Sequence, residues 1–413
     1  MNSRRRVVIT GLGIVSACGL GWRAFWDKAK AGESSLRPFP EPLPGDFPVR
    51  LAGVIEHFTP GELIRQRKSI KVMSRDTQLA VAASSLALQD ANLVSEALNL
   101  DACGVCLGSG APINTDLDSL SGGVLKAYAN GRFSMELFGR EGIPALFPLW
   151  FLKDIPNMPA CHISIAHGFR GPNNTMTTSA AAGLQGVGEA ARVIERGDAE
   201  CMLAGGTDSE VNPLGLSRFE MLGLFSKKTE IAAPFSKNAD GFYPGEGAGL
   251  LVLESLEHAL TRGARIYAEI AGYGSAADGN TDPESPSDSG GRFRAMKNAL
   301  RDAGISFSEL AGIFACGAGI PAHDRLEEQA FASFNLKIPP VTALKTVAGH
   351  MMTAAGGVEA AAACASLAES FFPPMAGGAG VSLSGPNASV MVNAFGLSGQ
   401  NASLVLKKFS GEK

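Results

Sequence analysis

The sequence predicts an α/β protein with largely buried sheets. Short apolar runs lack the in–out alternation of a half-exposed strand: VVIT from Val7, GVCLG from Gly104, CMLAG from Cys201 and GLLVL from Gly249. Strands covered on both faces read this way. Between them lie longer stretches in which apolar residues recur every three to four positions, as in AGLQGVGEAARVIER from Ala182, the period of an amphipathic helix. The 50 glycines and 23 prolines are spread along the 413 residues, which fits many tight turns between short elements.

In chain order, the first strand is expected at Arg6–Thr10. Three arginines precede it, but Gly11 and Gly13 interrupt the apolar stretch, so it reads as a buried strand and not as a leader helix. RPFPEPLPGD (Arg37–Asp46) is a surface loop, followed by a helix at Thr77–Ala91. A strand at Gly104–Gly108 holds Cys106, with Cys103 just before it. This CxxC has no second pair at zinc-finger spacing and reads as structural. A strand at Thr175–Ser179 leads to a helix at Ala182–Arg196, stopped by Gly197. Strands follow at Cys201–Gly205 and Gly249–Leu253, then a loop at Ala277–Gly290 and helices at Gly291–Ala303 and Gly356–Ala368. A division near Leu253 gives halves 1–253 and 254–413, each with a similar succession of elements, as an internal duplication would.

A net charge of −4 and a pI near 5.9 argue against a nucleic-acid partner. No run reaches the roughly 18 apolar residues of a membrane span. Seven scattered cysteines suggest no disulfide framework and fit a reducing cytoplasm. Neither a metal nor a cofactor is expected.

Four blocks carry a family resemblance: VVITGLGIVSACG from Val7, PFSKNADGFYPGEGAGLLVLES from Pro234, LKTVAGHMMTAAGGVEA from Leu344 and VNAFGLSGQNASLVLKK from Val392. In this order and register they resemble β-ketoacyl-acyl-carrier-protein synthases of the thiolase superfamily. The resemblance implies a duplicated thiolase fold of five layers, α-β-α-β-α, working as a dimer.

Condensation in that family needs a cysteine at the N-terminus of a buried helix, where the dipole favours the thiolate. It also needs two histidines and an oxyanion hole of backbone N–H groups. The nucleophile segment matches TTSAAAG (Thr177–Gly183), and the resemblance puts the cysteine position at Ala180. Ser179 is the obvious substitute, but on a strand it points to the opposite face. The first family histidine matches Cys316, which reads as a buried thiol. The threonines that hold the pantetheine arm match Ala318 and Ile320, and His323 lies too far along to replace the imidazole. Lys345 and His350 match the family's lysine and second histidine, and are expected to serve as buried hydrogen-bonding scaffold. Leu397 stands at the position of a gating phenylalanine.

These departures resemble the chain length factor of type II polyketide synthases, a silent ketosynthase-like subunit that pairs with an active ketosynthase and shapes its acyl tunnel. That family usually has glutamine where Ala180 stands. The resemblance implies tunnel-floor residues after Gly108–Gly110, with Ile113, Leu117 and Leu120 as candidates, and dimer pairing through Asn174–Ser179. It implies a basic patch for the acyl carrier protein and its phosphopantetheine arm at Arg65, Arg67, Lys68, Lys71 and Arg75. Two other readings stay open: a malonyl-decarboxylating priming subunit using Lys345 and His350, and an active synthase with an engineered Cys-to-Ala change. Product class, chain length and starter unit are not legible.

Overall fold

The computed structural model describes residues 4–39, 47, 49–93, 98–110, 117–279, 288–375, 378–383, 385 and 387–411. The first half runs β1 (Val7–Ser16), α1 (Arg75–Asp90), β2 (Cys103–Ser109), α2 (Leu117–Leu125), α3 (Met158–His167), β3 (Asn173–Met176), α4 (Ala182–Arg196), β4 (Cys201–Asp208), α5 (Pro213–Met221) and β5 (Gly247–Ser255). The second half runs β6 (Ala268–Ala277), α6 (Gly290–Ala303), β7 (Leu310–Phe314), α7 (Pro321–Ala332), β8 (Val341–Thr342), α8 (Met352–Glu369), β9 (Ser389–Phe395) and β10 (Gln400–Lys407).

The strand order is β8-β7-β9-β10-β6-β1-β5-β4-β2-β3. Read outward from the centre, both halves repeat one pattern. β1 pairs β5 antiparallel, β5 pairs β4 antiparallel, and β4–β2 and β2–β3 are parallel. Likewise β6–β10 and β10–β9 are antiparallel, and β9–β7 and β7–β8 are parallel. Identical order and sense are the mark of the duplication. The halves join where Val7, Val8 and Ile9 pair with Ile270, Glu269 and Ala268.

Helices α4 and α8 each touch strands of both halves and form the central layer. α1 and α3 cover the first sheet, and α6 with α7 covers the second. The result is the five-layered α-β-α-β-α arrangement. α8 is buried from Met352 to Leu367 and is built mostly of alanine and glycine, so a helix enclosed on all sides lies flush against two sheets. Glycine is required where α4 meets its neighbours. A Cβ at Gly183 would lie 2.4 Å from the Thr353 carbonyl oxygen, and one at Gly108 would lie 2.3 Å from Gly183 N. Gly183→Ala is expected to cost about 1–3 kcal/mol by overpacking, read as a lower urea midpoint with an unchanged slope.

Several boundaries differ from the sequence expectation. β1 continues through Gly11 and Gly13 to Ser16 because β5 pairs with it along that length, across a bulge at Ile9/Gly11. α8 starts at Met352, four residues early, since its Thr-Ala-Ala-Gly start is buried against the first half. The largest difference is at Thr175–Ser179, where the strand stops at Met176 and Ser179 opens a 3-10 turn. Of the loop 37–46, Arg37–Pro38 pairs with Leu51–Ala52.

Candidate functional site

The end of β3 brings the chain to the foot of the central layer. There Ser179 adopts φ +56°, a left-handed conformation uncommon outside glycine. The turn Ser179–Ala181 then runs into α4 at Ala182. Ala180 is 1% exposed and packs beneath α8, β9 and β10. It sits where a helix N-terminus would favour a negative charge, but its side chain is a methyl group with no nucleophilic atom. Ser179 is not on a strand, so the opposite-face argument does not apply to it. It lines an outer cavity instead.

Beyond β7, buried carboxylates hold the loop that carries Cys316. Glu327 accepts the N–H groups of Cys316 and Gly317, each at 2.9 Å, and Asn393 Nδ2 at 3.3 Å. Asp324 accepts from Ala318 N at 3.0 Å, Gly319 N at 3.2 Å and Phe235 N at 2.9 Å. Burial lifts Asp324 to about 6. Cys316 Sγ donates to the Phe395 carbonyl at 3.6 Å. Burial pushes this thiol up to about 11, with Lys345 pulling the other way. At neutral pH it is a protonated thiol, inert as a nucleophile.

Lys345 bonds the Cys316 carbonyl and Glu359 Oε1, the latter at 2.7 Å. Burial alone would lower its ammonium; the neighbouring Cys316, Glu359 and Glu327 override burial and raise it. His350 Nδ1 accepts from Met352 N at 3.1 Å, so its neutral ring carries the proton on Nε2. Burial, then Lys345 and His323, hold the imidazole well below its ordinary range. Its backbone is pinned by Tyr243 O at 2.7 Å, and its ring meets Phe242 edge-on at 5.4 Å.

Two cavities flank this cluster, and Leu397 lines both. The outer one, about 310 Å³, is bounded by Ser179, Asp208, Glu210, Arg218, Thr353 and Leu397, among others. The inner one, about 10 Å³, lies between Arg292, Cys316, His323, His350, Phe395 and Leu397, with room for about one water. Ala180 lines neither. Ala318 and Ile320 are buried with Leu397 in an apolar cluster that also holds Phe225 and Phe242.

Residues 4–259 match the β-ketoacyl synthase N-terminal domain, and residues 267–378 match its C-terminal domain. The chain belongs to the β-ketoacyl synthase family. It is 33% identical to 3-oxoacyl-[acyl-carrier-protein] synthase 2 of Vibrio cholerae serotype O1, over 98% of this chain and 100% of that protein. It is 33% identical to the same-named protein of Staphylococcus aureus, over 99% and 100%. Among solved structures it is similar to the ishigamide ketosynthase/chain length factor, with a TM-score of 0.85, 31% identity, and 98% and 100% coverage. It is also similar to a type II polyketide synthase acyl-carrier protein in complex with its ketosynthase, at 0.80, 28%, 98% and 100%.

This ketosynthase fold places the remaining candidates apart from the cluster. Ile113 lies outside the described residues, as does the side chain of Leu117. α2 carries Leu120, which is half-buried. Arg65, Arg67, Lys68 and Lys71 are exposed just before α1. Arg75 is different. It turns inward to Glu246, with contacts of 3.0 and 3.2 Å, and to the Ile55 carbonyl at 2.9 Å. Its charge is engaged by a buried carboxylate, so it does not belong with the exposed patch. Arg65 lines a surface cavity of about 380 Å³ together with His167. Burial, helped by Arg65, lowers His167 to about 4, and its Nε2 lies 2.8 Å from Ser84 Oγ. The unfolded chain binds a proton below pH 6.5 that this folded imidazole refuses until about pH 4. Relative to His167→Gln, the wild-type protein is therefore expected to lose about 1.4 kcal/mol of stability per pH unit between those values, and nothing above pH 6.5. Paired denaturation curves from pH 7.5 to 4.5 check this.

Sequence reasoning missed the carboxylates that hold the ketosynthase cluster together. Glu359 had a signal, as the one charge in the run TAAGGVEAAAACAS; a charge inside a buried helix needs a partner. Asp324 and Glu327 had none, because their partners are backbone N–H groups. His323 was placed too far away, yet it lines the same inner cavity as Cys316 and His350. No group of His, Cys, Asp or Glu able to hold a metal occurs among the described residues, and no helix there is long and apolar enough to cross a membrane.

Proposed function

We propose that this chain is the chain-length-factor subunit of a type II polyketide synthase. It forms a heterodimer with an active ketosynthase and shapes that partner's acyl tunnel during carrier-protein-bound chain elongation. The observation that carries the reading is Ala180. The turn and helix that would present a nucleophile are intact, and the side chain there is a methyl group. The protonated thiol of Cys316 in place of an imidazole and Leu397 in place of a ring point the same way. Lys345 and His350 then act as scaffold, consistent with their buried hydrogen bonds to the Cys316 carbonyl, Glu359 and Met352 N.

Two surface features support a partner of the same fold. β3 is the edge strand of the sheet and pairs only with β2 among the described residues. The stretch 125–149 exposes Leu125, Tyr128, Phe133, Met135, Ile143 and Phe147, apolar side chains that a partner subunit would cover. Leu120 and its neighbours after β2 would reach the partner's tunnel. The cations Arg65, Arg67, Lys68 and Lys71 would meet the acidic carrier protein.

Co-expression with candidate ketosynthases tests the pairing. The expected result is a stable one-to-one heterodimer with little soluble protein when the chain is expressed alone. A stable homodimer that releases carbon dioxide from malonyl-carrier protein would overturn it and favour the decarboxylating reading.

A further inference from the structure

Cys316 and Leu397 are both smaller than the imidazole and the ring that the family resemblance puts at their positions, so the inner pocket they line should be roomy. It holds only about 10 Å³. Two side chains account for the filling. Arg292 and His323 are 3% and 6% exposed, and both line the inner cavity beside Cys316 and His350. Arg292 Nη2 lies 3.0 Å from His323 Nδ1, and its Nη1 bonds the His323 carbonyl. The guanidinium lies over the Phe395 ring at 5.3 Å. The pair is thus held between β9 and the start of α7.

Its cost argues against a purely structural role. Arg292 Nε is buried without a hydrogen-bond partner among the described residues, and an unpaired buried donor is destabilising. Glu327, the nearby carboxylate, already accepts two backbone N–H groups and Asn393. Arg292 acts on Glu327 only as a nearby positive charge that favours its ionised form, with no hydrogen bond between them among the described residues, so the carboxylate does not fix where the guanidinium points.

We propose that Arg292 and His323 form a plug that closes this subunit's own acyl pocket and keeps a pantetheine-bound acyl group away from His350. The plug deepens the chain-length-factor reading, on which its purpose rests: the carrier arm is left for the partner's active site. The outer cavity of about 310 Å³ remains open to the arm, and Leu397 with the plug behind it marks where entry ends.

The test uses the protein purified in its soluble assembly and a malonyl-pantetheine analogue with a photoreactive diazirine near the acyl end. Labelled peptides are mapped by mass spectrometry, so the readout belongs to this chain and not to its partner. The wild-type chain is expected to be labelled only on peptides of the outer cavity, with none at His350 or Cys316 behind the plug. Arg292→Met with His323→Gly is expected to raise labelling there by at least about 10-fold, equivalent to about 1.4 kcal/mol of access, whatever the change in Tm. A structural role alone would lower the Tm and leave labelling unmoved. His323→Gly by itself, which keeps the guanidinium, is the second variant and should give a smaller gain. Labelling of the wild type at His350 or Cys316 as strong as that of the variants would overturn the proposal, as would a variant unlabelled there that melts like the wild type. Absence of a heterodimer would sink the functional reading while leaving this labelling result intact.

Discussion

Ala180→Cys is expected to leave the chain without measurable condensation of acyl- and malonyl-carrier protein, at least about 100-fold below an intact ketosynthase. The new thiol would sit at the N-terminus of α4, where the dipole favours the thiolate, so acylation of the cysteine is the most that the change can restore. The first imidazole is still absent, and general acid–base groups contribute about 10²- to 10⁴-fold. Cys316 cannot substitute, since burial holds its thiol protonated up to about pH 11. Adding Cys316→His is also expected to fall short, because Arg292 and His323 occupy the adjoining space. A radiolabelled-malonyl assay on the single variant checks this. Near-normal condensation would mean the chain is a ketosynthase lacking only its nucleophile, and the engineered-change reading would stand.

Lys345→Met is expected to destabilise the fold by about 3–5 kcal/mol, the usual result of removing one member of a buried ion pair. Lys345 is 6% and Glu359 3% exposed, and they meet at 2.7 Å between the two sheets. Without the ammonium, Glu359 is left buried with Oε2 already unpartnered among the described residues, and the Cys316 carbonyl loses its donor. Replacing both members, Lys345→Met with Glu359→Leu, should recover most of the loss, because an apolar pair leaves no buried charge. Urea unfolding of the two single variants and the double gives the coupling directly. If Lys345→Met unfolded like the wild type, the scaffold account of the retained lysine would fail.

Most of the architecture was legible because its signals are local. Buried strands read as continuous apolar runs, α4 was bounded at both ends by its period and by Gly197, and four blocks in register carried the family. What was not legible depends on contacts across the chain. Ser179 looked like the end of a buried strand, but its backbone turns left-handed to enter α4. Arg75 looked like one cation in a cluster until Glu246, far away in sequence, was found opposite it. His323 looked remote from Cys316 along the chain. The loop between them curls around Asp324 and Glu327 and brings both to one cavity.

The central claim is that this chain acts through its partner and not through chemistry of its own. The most direct measurement is a condensation assay with a co-purified ketosynthase, malonyl groups and carrier protein, run with this chain, without it, and with its Leu120→Trp variant. The account predicts that product appears only with the chain present, and that the bulkier residue at 120 shortens the product without changing the partner's own cysteine acylation. Product of unchanged length and yield in the absence of the chain would contradict it.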